Sequence, residues 1–277
     1  MMVNNPYISI IKPKGSLMDV SIVAINCAIL GIWDYKAFFV ILAAIMIHGC
    51  CNIMNDIFDF NIDKICKPDG AIRSGRLSMK TAWLYMSLLL IIGLTISLYL
   101  NFILFLCLLV SFIIGGIMYS HPIFRLKDIP GIAMLDMAIC FSLGSIGIWS
   151  VYSPLTLNGL LVASYIFLLS FSLLFMKDFK DVAGDINSLP LMMGIEKASK
   201  ICSILTILPL IPLFYLMKYY HEVSIAILVY VVLAIGCIQI LMDEPVSKGK
   251  VLKNRMQMTF IFPSITIFII KMLLDLI

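Results

Sequence analysis

Charge is scarce in this sequence: 13% of its 277 residues are charged against 62% apolar, and the mean hydropathy is +1.06. That balance excludes an ordinary soluble domain. The eight cysteines show no Cys-x-x-Cys spacing. Most sit inside apolar runs (Cys27, Cys107, Cys140, Cys202, Cys237), which excludes a disulfide framework or a zinc site. Three scattered histidines, His48, His121 and His221, make no zinc or haem constellation. Net charge is only +4, with no basic block or aromatic–basic interleaving, so nucleic acid is not an expected partner. No cleavable leader is expected either: the first apolar run carries Asp19, and no small-residue cleavage pattern follows it.

What the chain has in quantity is apolar runs long enough to cross about 30 Å of hydrocarbon at roughly 1.5 Å per residue. Nine are predicted, at roughly Leu17–Trp33, Ala37–Asp59, Thr81–Leu100, Phe102–Tyr119, Gly131–Tyr152, Leu155–Phe175, Ile201–Met217, Val223–Met242 and Met256–Leu274. No soluble domain fits between them, so residues 1–277 form one integral-membrane unit. With nine spans, 17 of the 20 Lys and Arg fall on one side, and only Lys36, Lys218 and Lys271 on the other. Cytoplasmic loops retain cations, which places the N-terminus inside and the C-terminus outside, in a multi-pass cell-membrane protein.

Two acidic groups repeat one pattern at the ends of the second and sixth runs. The first is Asp56, Asp59 and Asp63; the second is Asp178, Asp181 and Asp185, each spaced i, i+3, i+7. On a helix that spacing makes one face, and Asn52, four residues before Asp56, extends the first group toward the membrane interior. The plain reading is solvated helix ends, partly neutralised by Lys64, Lys67, Lys177 and Lys180. Carboxylates at membrane depth are rare, however, and those at a helix C-terminus are costlier still. Two stripes on one side of the membrane can face each other across a cavity and share divalent ions, Mg²⁺ above all, since it takes carboxylate oxygens while leaving positions for phosphate. The repetition also implies two four-helix repeats, roughly residues 17–119 and 131–242, with a ninth helix at 256–274.

Divalent ions so held can grip a diphosphate and take up the charge that develops as it leaves an allylic carbon. Lys12, Arg73, Arg76, Lys127 and Lys177 lie on the same predicted face and can bind phosphate oxygens, although positive-inside bias alone also puts cations there.

Asn-Asp-x-x-Asp-x-x-x-Asp at 55–63, Asp-x-x-Asp-x-x-x-Asp at 178–185 and the nine-span pattern resemble the UbiA superfamily of intramembrane prenyltransferases. Ser74-Gly75-Arg76-Leu77-Ser78, and Tyr119 with Leu126-Lys127, match further family features. The resemblance implies an all-α enzyme around a central cavity, in which Asp56, Asp59, Asp63, Asp181 and Asp185 hold Mg²⁺ and a prenyl diphosphate, with Asp178 close by. It puts Asn52 and Asn55 in the same site, Arg76 and Lys127 near the diphosphate, and Tyr119 near the allylic carbon, where an aromatic face stabilises positive charge. Among subgroups the chain is most similar to archaeal digeranylgeranylglyceryl phosphate synthases. That likeness implies geranylgeranyl transfer to the hydroxyl of geranylgeranylglyceryl phosphate in membrane ether-lipid synthesis. An aromatic acceptor of quinone-type synthesis is the alternative within the family.

The chain departs from the family pattern at Gly70-Ala71-Ile72-Arg73, where relatives carry prolines and another arginine. It also has Lys12-Pro13 for Arg-Pro and an early Asn187-Ser188-Leu189-Pro190. Asp19 and Asp136 interrupt apolar stretches. Interfacial carboxylates paired with Lys12, Lys14 or Lys127 are the expectation for both, a hand in positioning or deprotonating the acceptor the alternative. Gly115-Gly116, Gly131, Gly144 and Gly147 are expected at close helix contacts, and His48 as a hydrogen-bonded packing residue. Rival functions are weaker. CDP-alcohol phosphotransferases need an Asp-Gly-x-x-Ala-Arg run that is absent; a soluble-type isoprenyl synthase needs a polar surface; a transporter or ion channel needs acidic residues through the bilayer, and these stop at one face.

Overall fold

The computed structural model describes residues 5–66, 68–182 and 188–275, without the side chains of Asp63, Ile65, Cys66 and Asp181. Among them, eight helices are long and apolar enough to cross a membrane, and a shorter apolar helix, Phe102–Met118, joins them. In chain order the nine are α1 (Pro13–Leu30), α2 (Tyr35–Phe58), α3 (Met79–Leu100), α4 (Phe102–Met118), α5 (Ile132–Tyr152), α6 (Leu157–Asp181), α7 (Ile195–Leu216), α8 (Val223–Asp243) and α9 (Gly249–Leu274). The protein is thus an all-helical, multi-pass integral membrane protein, as its apolar runs require.

Local chemistry sets many of the helix ends. Asp34 caps α2 by accepting from the Lys36 amide at 2.9 Å, and Ser78 caps α3 by accepting from Thr81 at 3.1 Å. Asn101 separates α3 from α4 and accepts from the amides of Ile103 and Leu104 at 2.7 and 3.2 Å. Pro13 opens α1 where its missing N–H costs nothing. Pro209 stands where α7 divides into Ile195–Ile207 and Leu210–Leu216.

Consecutive helices pack side by side, and α9 returns to pack on α1 and α6. α1 lies inside, touching α2, α5 and α9, with 67% of its apolar window buried against 17% for α3. The large apolar side chains that α3 leaves exposed, Leu84, Leu88, Ile91 and Leu98 among them, have lipid as their natural solvent. Interior polar groups are matched across helices: Asn26 of α1 donates to the Ser145 hydroxyl of α5 at 3.0 Å.

Three expectations need correction. The first acidic stripe is not one continuous helix face: α2 stops at Phe58, Asp59 caps it at φ −90°, and Asp63 lies on a separate short helix, Phe60–Cys66. Several carboxylates in register with the negative end of a long helix are costly, and a break there relieves the repulsion. The glycines divide by role. A Cβ on Gly115 or Gly147 would sit 2.9 Å from Cys140 Sγ or the Leu104 side chain, so these mark close packing; Gly131 takes φ +83° at the start of α5, and Gly144 has open space before it. Finally, α1, α7 and α9 begin four to seven residues earlier than hydropathy suggests, and α6 runs on through Asp178, because amphipathic turns extend helices past their apolar runs.

Candidate active site

The first acidic group is held in a cage of cations from three distant segments. Lys12, just before α1, donates from Nζ to Asp56 Oδ1 at 2.9 Å, and Arg73, in the loop before α3, brings Nη2 to 3.8 Å from Asp56 Oδ2. Arg125 Nη2 reaches Asp59 Oδ1 at 3.4 Å, and Lys127 Nζ donates to Asp59 Oδ2. These partners of Asp56 and Asp59 are non-local, whereas Lys67, expected among the neutralising lysines, lies outside the described residues. Asp56 is buried, so its charge must be matched at close range.

Two of the cations adopt costly backbone. Lys12 at φ 54° and Arg125 at φ 45° are, among the described residues, the two non-glycine positions with positive φ. A left-handed residue costs roughly 1–2 kcal/mol, and both instances put a positive charge on a motif aspartate, a placement of strain that marks functional sites. Burial pulls the Lys127 ammonium below the ordinary lysine range even though Asp59 opposes it, while its bond to Asp128 holds the Arg125 guanidinium up. Gly70 makes room for Arg73, since a Cβ there would lie 2.2 Å from the guanidinium.

Tyr119 joins the two acidic groups. α4 loosens into a π-helical turn over Ile113–Met118, around Gly115-Gly116, and delivers Tyr119 within electrostatic reach of Asp136, Asp178 and Asp59. Asn55 donates from Nδ2 to Ser120 Oγ at 3.5 Å, and Asn52 to the Ile11 carbonyl at 3.2 Å, tying α2 to the end of α4 and to the segment before α1. The second motif is positioned from behind: α9 starts at Gly249 directly against the Lys180 backbone, and Phe175 and Phe179 stack inward.

Below this polar cluster lies an apolar cavity between α1, α2, α4 and α5. Its wall includes Cys51, Gly115 and Cys140, each one helical turn deeper than Asn55, Tyr119 and Asp136 on the same helices. The polar cluster therefore stands over the cavity's rim. Asp19 and His48 line the cavity as a pair, His48 Nδ1 lying 2.8 Å from Asp19 Oδ2.

The structure thus brings together Lys12, Asn52, Asn55, Asp56, Asp59, Arg73, Tyr119 and Lys127, with Asp178 within electrostatic reach of Tyr119, and adds Arg125, whose place two residues before Lys127 was its only signal. Arg76 turns into its own loop, donating to the Asp69 carbonyl at 2.7 Å and to Ser74. Lys177 is exposed, with no ion pair among the described residues. Asp185 lies outside the described residues, as do the side chains of Asp63 and Asp181. Among the described residues Asp19 and Asp136 are not lysine-paired interfacial carboxylates: Asp19 holds His48, and neither Asp136 oxygen has a hydrogen-bond partner.

As a metal site the cluster is chemically suitable. Asp56, Asp59 and Asp178 offer carboxylate oxygens and Asn52 an amide oxygen, a donor set for a hard divalent ion, with no His or Cys among them. Among the described residues alone, no three acidic, His or Cys side chains converge into a complete ligand set.

The UbiA prenyltransferase family pattern matches residues 21–261. A digeranylgeranylglyceryl phosphate synthase from Methanosphaera stadtmanae is 31% identical over 241 residues, covering 83% of this chain and 84% of that one. A solved structure concerned with digeranylgeranylglyceryl phosphate synthase in membranes superposes with TM-score 0.69 at 23% identity, covering 94% of this chain and 98% of its own. A UbiA homolog from Archaeoglobus fulgidus bound to DMAPP and Mg²⁺ also gives TM-score 0.69, at 17% identity over 95% and 99% of the two chains. A transporter or ion channel is set aside by these matches. The chain belongs to the UbiA prenyltransferase family and is an intramembrane prenyltransferase.

Proposed function

We propose that this enzyme transfers a geranylgeranyl group from its diphosphate to the free hydroxyl of geranylgeranylglyceryl phosphate, forming the second ether bond of a membrane lipid. The observation that carries the reading is the stacking of two environments: motif carboxylates with their paired cations beside Tyr119, over an apolar cavity. The diphosphate belongs above and the isoprenoid tail below, which leaves the allylic carbon at their junction. The 31% identity to a synthase of this specificity supports the acceptor.

In this reading Asp56, Asp59 and Asp178, with Asp63, Asp181 and Asp185, hold Mg²⁺. When bound, that ion supplies charge neutralisation for the departing diphosphate. Lys12, Arg73, Arg125 and Lys127 grip phosphate oxygens, the two guanidinium groups as forks and the two ammonium groups as point charges. Tyr119 presents its ring to the developing allylic cation. The cation asymmetry of the loops supports a site that opens to the cytoplasm, with the C-terminus outside.

The test is transfer of labelled geranylgeranyl from its diphosphate by purified protein in lipid, with Mg²⁺ or EDTA, offering geranylgeranylglyceryl phosphate beside 4-hydroxybenzoate. Metal-dependent ether product with the glyceryl phosphate is the expected result. Product only with the aromatic acid would move the enzyme to quinone-type chemistry, and product undiminished by EDTA would refute the metal assignment.

A further inference from the structure

We propose that Asp136 is the base that removes the proton from the acceptor hydroxyl as the ether bond forms. This rests on the acceptor reading above. Asp136 stands one turn into α5 with 3% of its surface exposed, and neither carboxylate oxygen has a hydrogen-bond partner among the described residues. A buried carboxylate left so is costly to the fold and calls for an explanation beyond packing.

Its position supplies one. Asp136 is one turn above Cys140, as Tyr119 is above Gly115 and Asn55 above Cys51, and those three deeper residues form part of the cavity rim. α4 and α5 approach closely at this level, since a Cβ on Gly115 would meet Cys140 Sγ at 2.9 Å. Asp136 therefore lies at the junction where a donor with its diphosphate above and its tail below must place the allylic carbon. The attacking oxygen has to come to that same point.

Among the described residues the other carboxylates nearby are committed, Asp178 to the second metal motif in the reading above. Asp56 and Asp59 are each held by two cations, and Asp19 is held by His48. The Asp19–His48 pair is also too deep, since eight residues along α2 separate His48 from Asp56, about 12 Å at helical rise. Asp136 is left with open acceptor capacity at the right depth. The step balances simply. The acceptor oxygen bonds to the allylic carbon, the carbon–oxygen bond to the diphosphate breaks with its electron pair leaving on the diphosphate, and the hydroxyl proton passes to Asp136 and thence to water.

The experiment compares wild type with Asp136→Asn on two acceptors, geranylgeranylglyceryl phosphate and its analogue with a thiol in place of the free hydroxyl. A thiol ionises near pH 8.5 and needs no enzyme base. Asp136→Asn is expected to lose transfer to the hydroxyl by about 100-fold or more and to keep transfer to the thiol within about threefold, with donor affinity unchanged. It is also expected to raise Tm, because an amide is cheaper to bury without partners than a carboxylate. Equal losses on both acceptors, or no loss on either, would overturn the assignment of the base. Asp136→Ser repeats the comparison should the amide perturb folding. Wild type with no ether product at all would refute the acceptor itself and this role with it, whereas product from wild type leaves the acceptor standing however the variant behaves.

Discussion

The packing of α9 on the second acidic motif can be tested with one methyl group. Gly249 is buried at the first position of α9, and a Cβ placed there would lie 2.6 Å from Lys180 Cα, 2.9 Å from its amide nitrogen and 3.1 Å from its Cβ. Non-bonded carbons settle at about 3.5–4.0 Å, so Gly249→Ala requires the two backbones to separate by roughly 0.9 Å or more. No side-chain rotation relieves the clash, because the obstruction is main chain. Lys180 sits two residues after Asp178 and directly before Asp181 on the last turn of α6, so the displacement is carried into the second motif. Misplacing a catalytic constellation by about 1 Å costs about 100-fold in rate, and overpacking costs about 1–3 kcal/mol of stability. Gly249→Ala is therefore expected to purify folded, with a lower Tm, and to turn over labelled donor about 100-fold more slowly. Turnover within twofold of wild type in the folded variant would refute the idea that this contact positions the motif.

Other perturbations probe the remaining parts of the site. Gly144 faces the cavity with no atom within 4 Å of a Cβ, so Gly144→Leu should fill part of the cavity and shift preference from geranylgeranyl to shorter diphosphates in a competition assay; an unchanged preference would place the tail elsewhere. Asp56→Ala should lower prenyl transfer by at least about 100-fold while the protein stays folded in detergent, and near-normal turnover would sink the metal-site reading. Tyr119→Ala should lower kcat by about 2- to 30-fold, the equivalent of a cation–π contact of about 0.5–2 kcal/mol, with less change in diphosphate affinity. Equal loss in both would remove the ring from the reacting carbon.

The spans were legible because each rests on a local property, an apolar run bounded by polar or proline-bearing breaks, and the aspartate motifs because their spacing repeats. The charge pairing was hidden, since the partners of Asp56 and Asp59 come from residues 12, 73, 125 and 127, and nothing in local spacing tells which loop folds over which helix end. Local propensity even argued against two of them, because Lys12 and Arg125 adopt a backbone conformation that L-residues avoid. The break at Asp59 escaped the periodicity argument for a related reason. An i, i+3, i+7 pattern assumes one helix, whereas the electrostatics of a helix C-terminus work against a third carboxylate in register, and it was this second consideration that prevailed. Asp136 is the instructive middle case. Its sequence context, a lone carboxylate one turn into an apolar span, shows that it must be either paired or functional. The three-dimensional arrangement removes the first option: among the described residues neither Asp136 oxygen has a hydrogen-bond partner, and Lys12 and Lys127 pair with Asp56 and Asp59 instead. Where the cheap explanations of a buried charge are used up by other groups, the chemistry of the site is what remains to account for it.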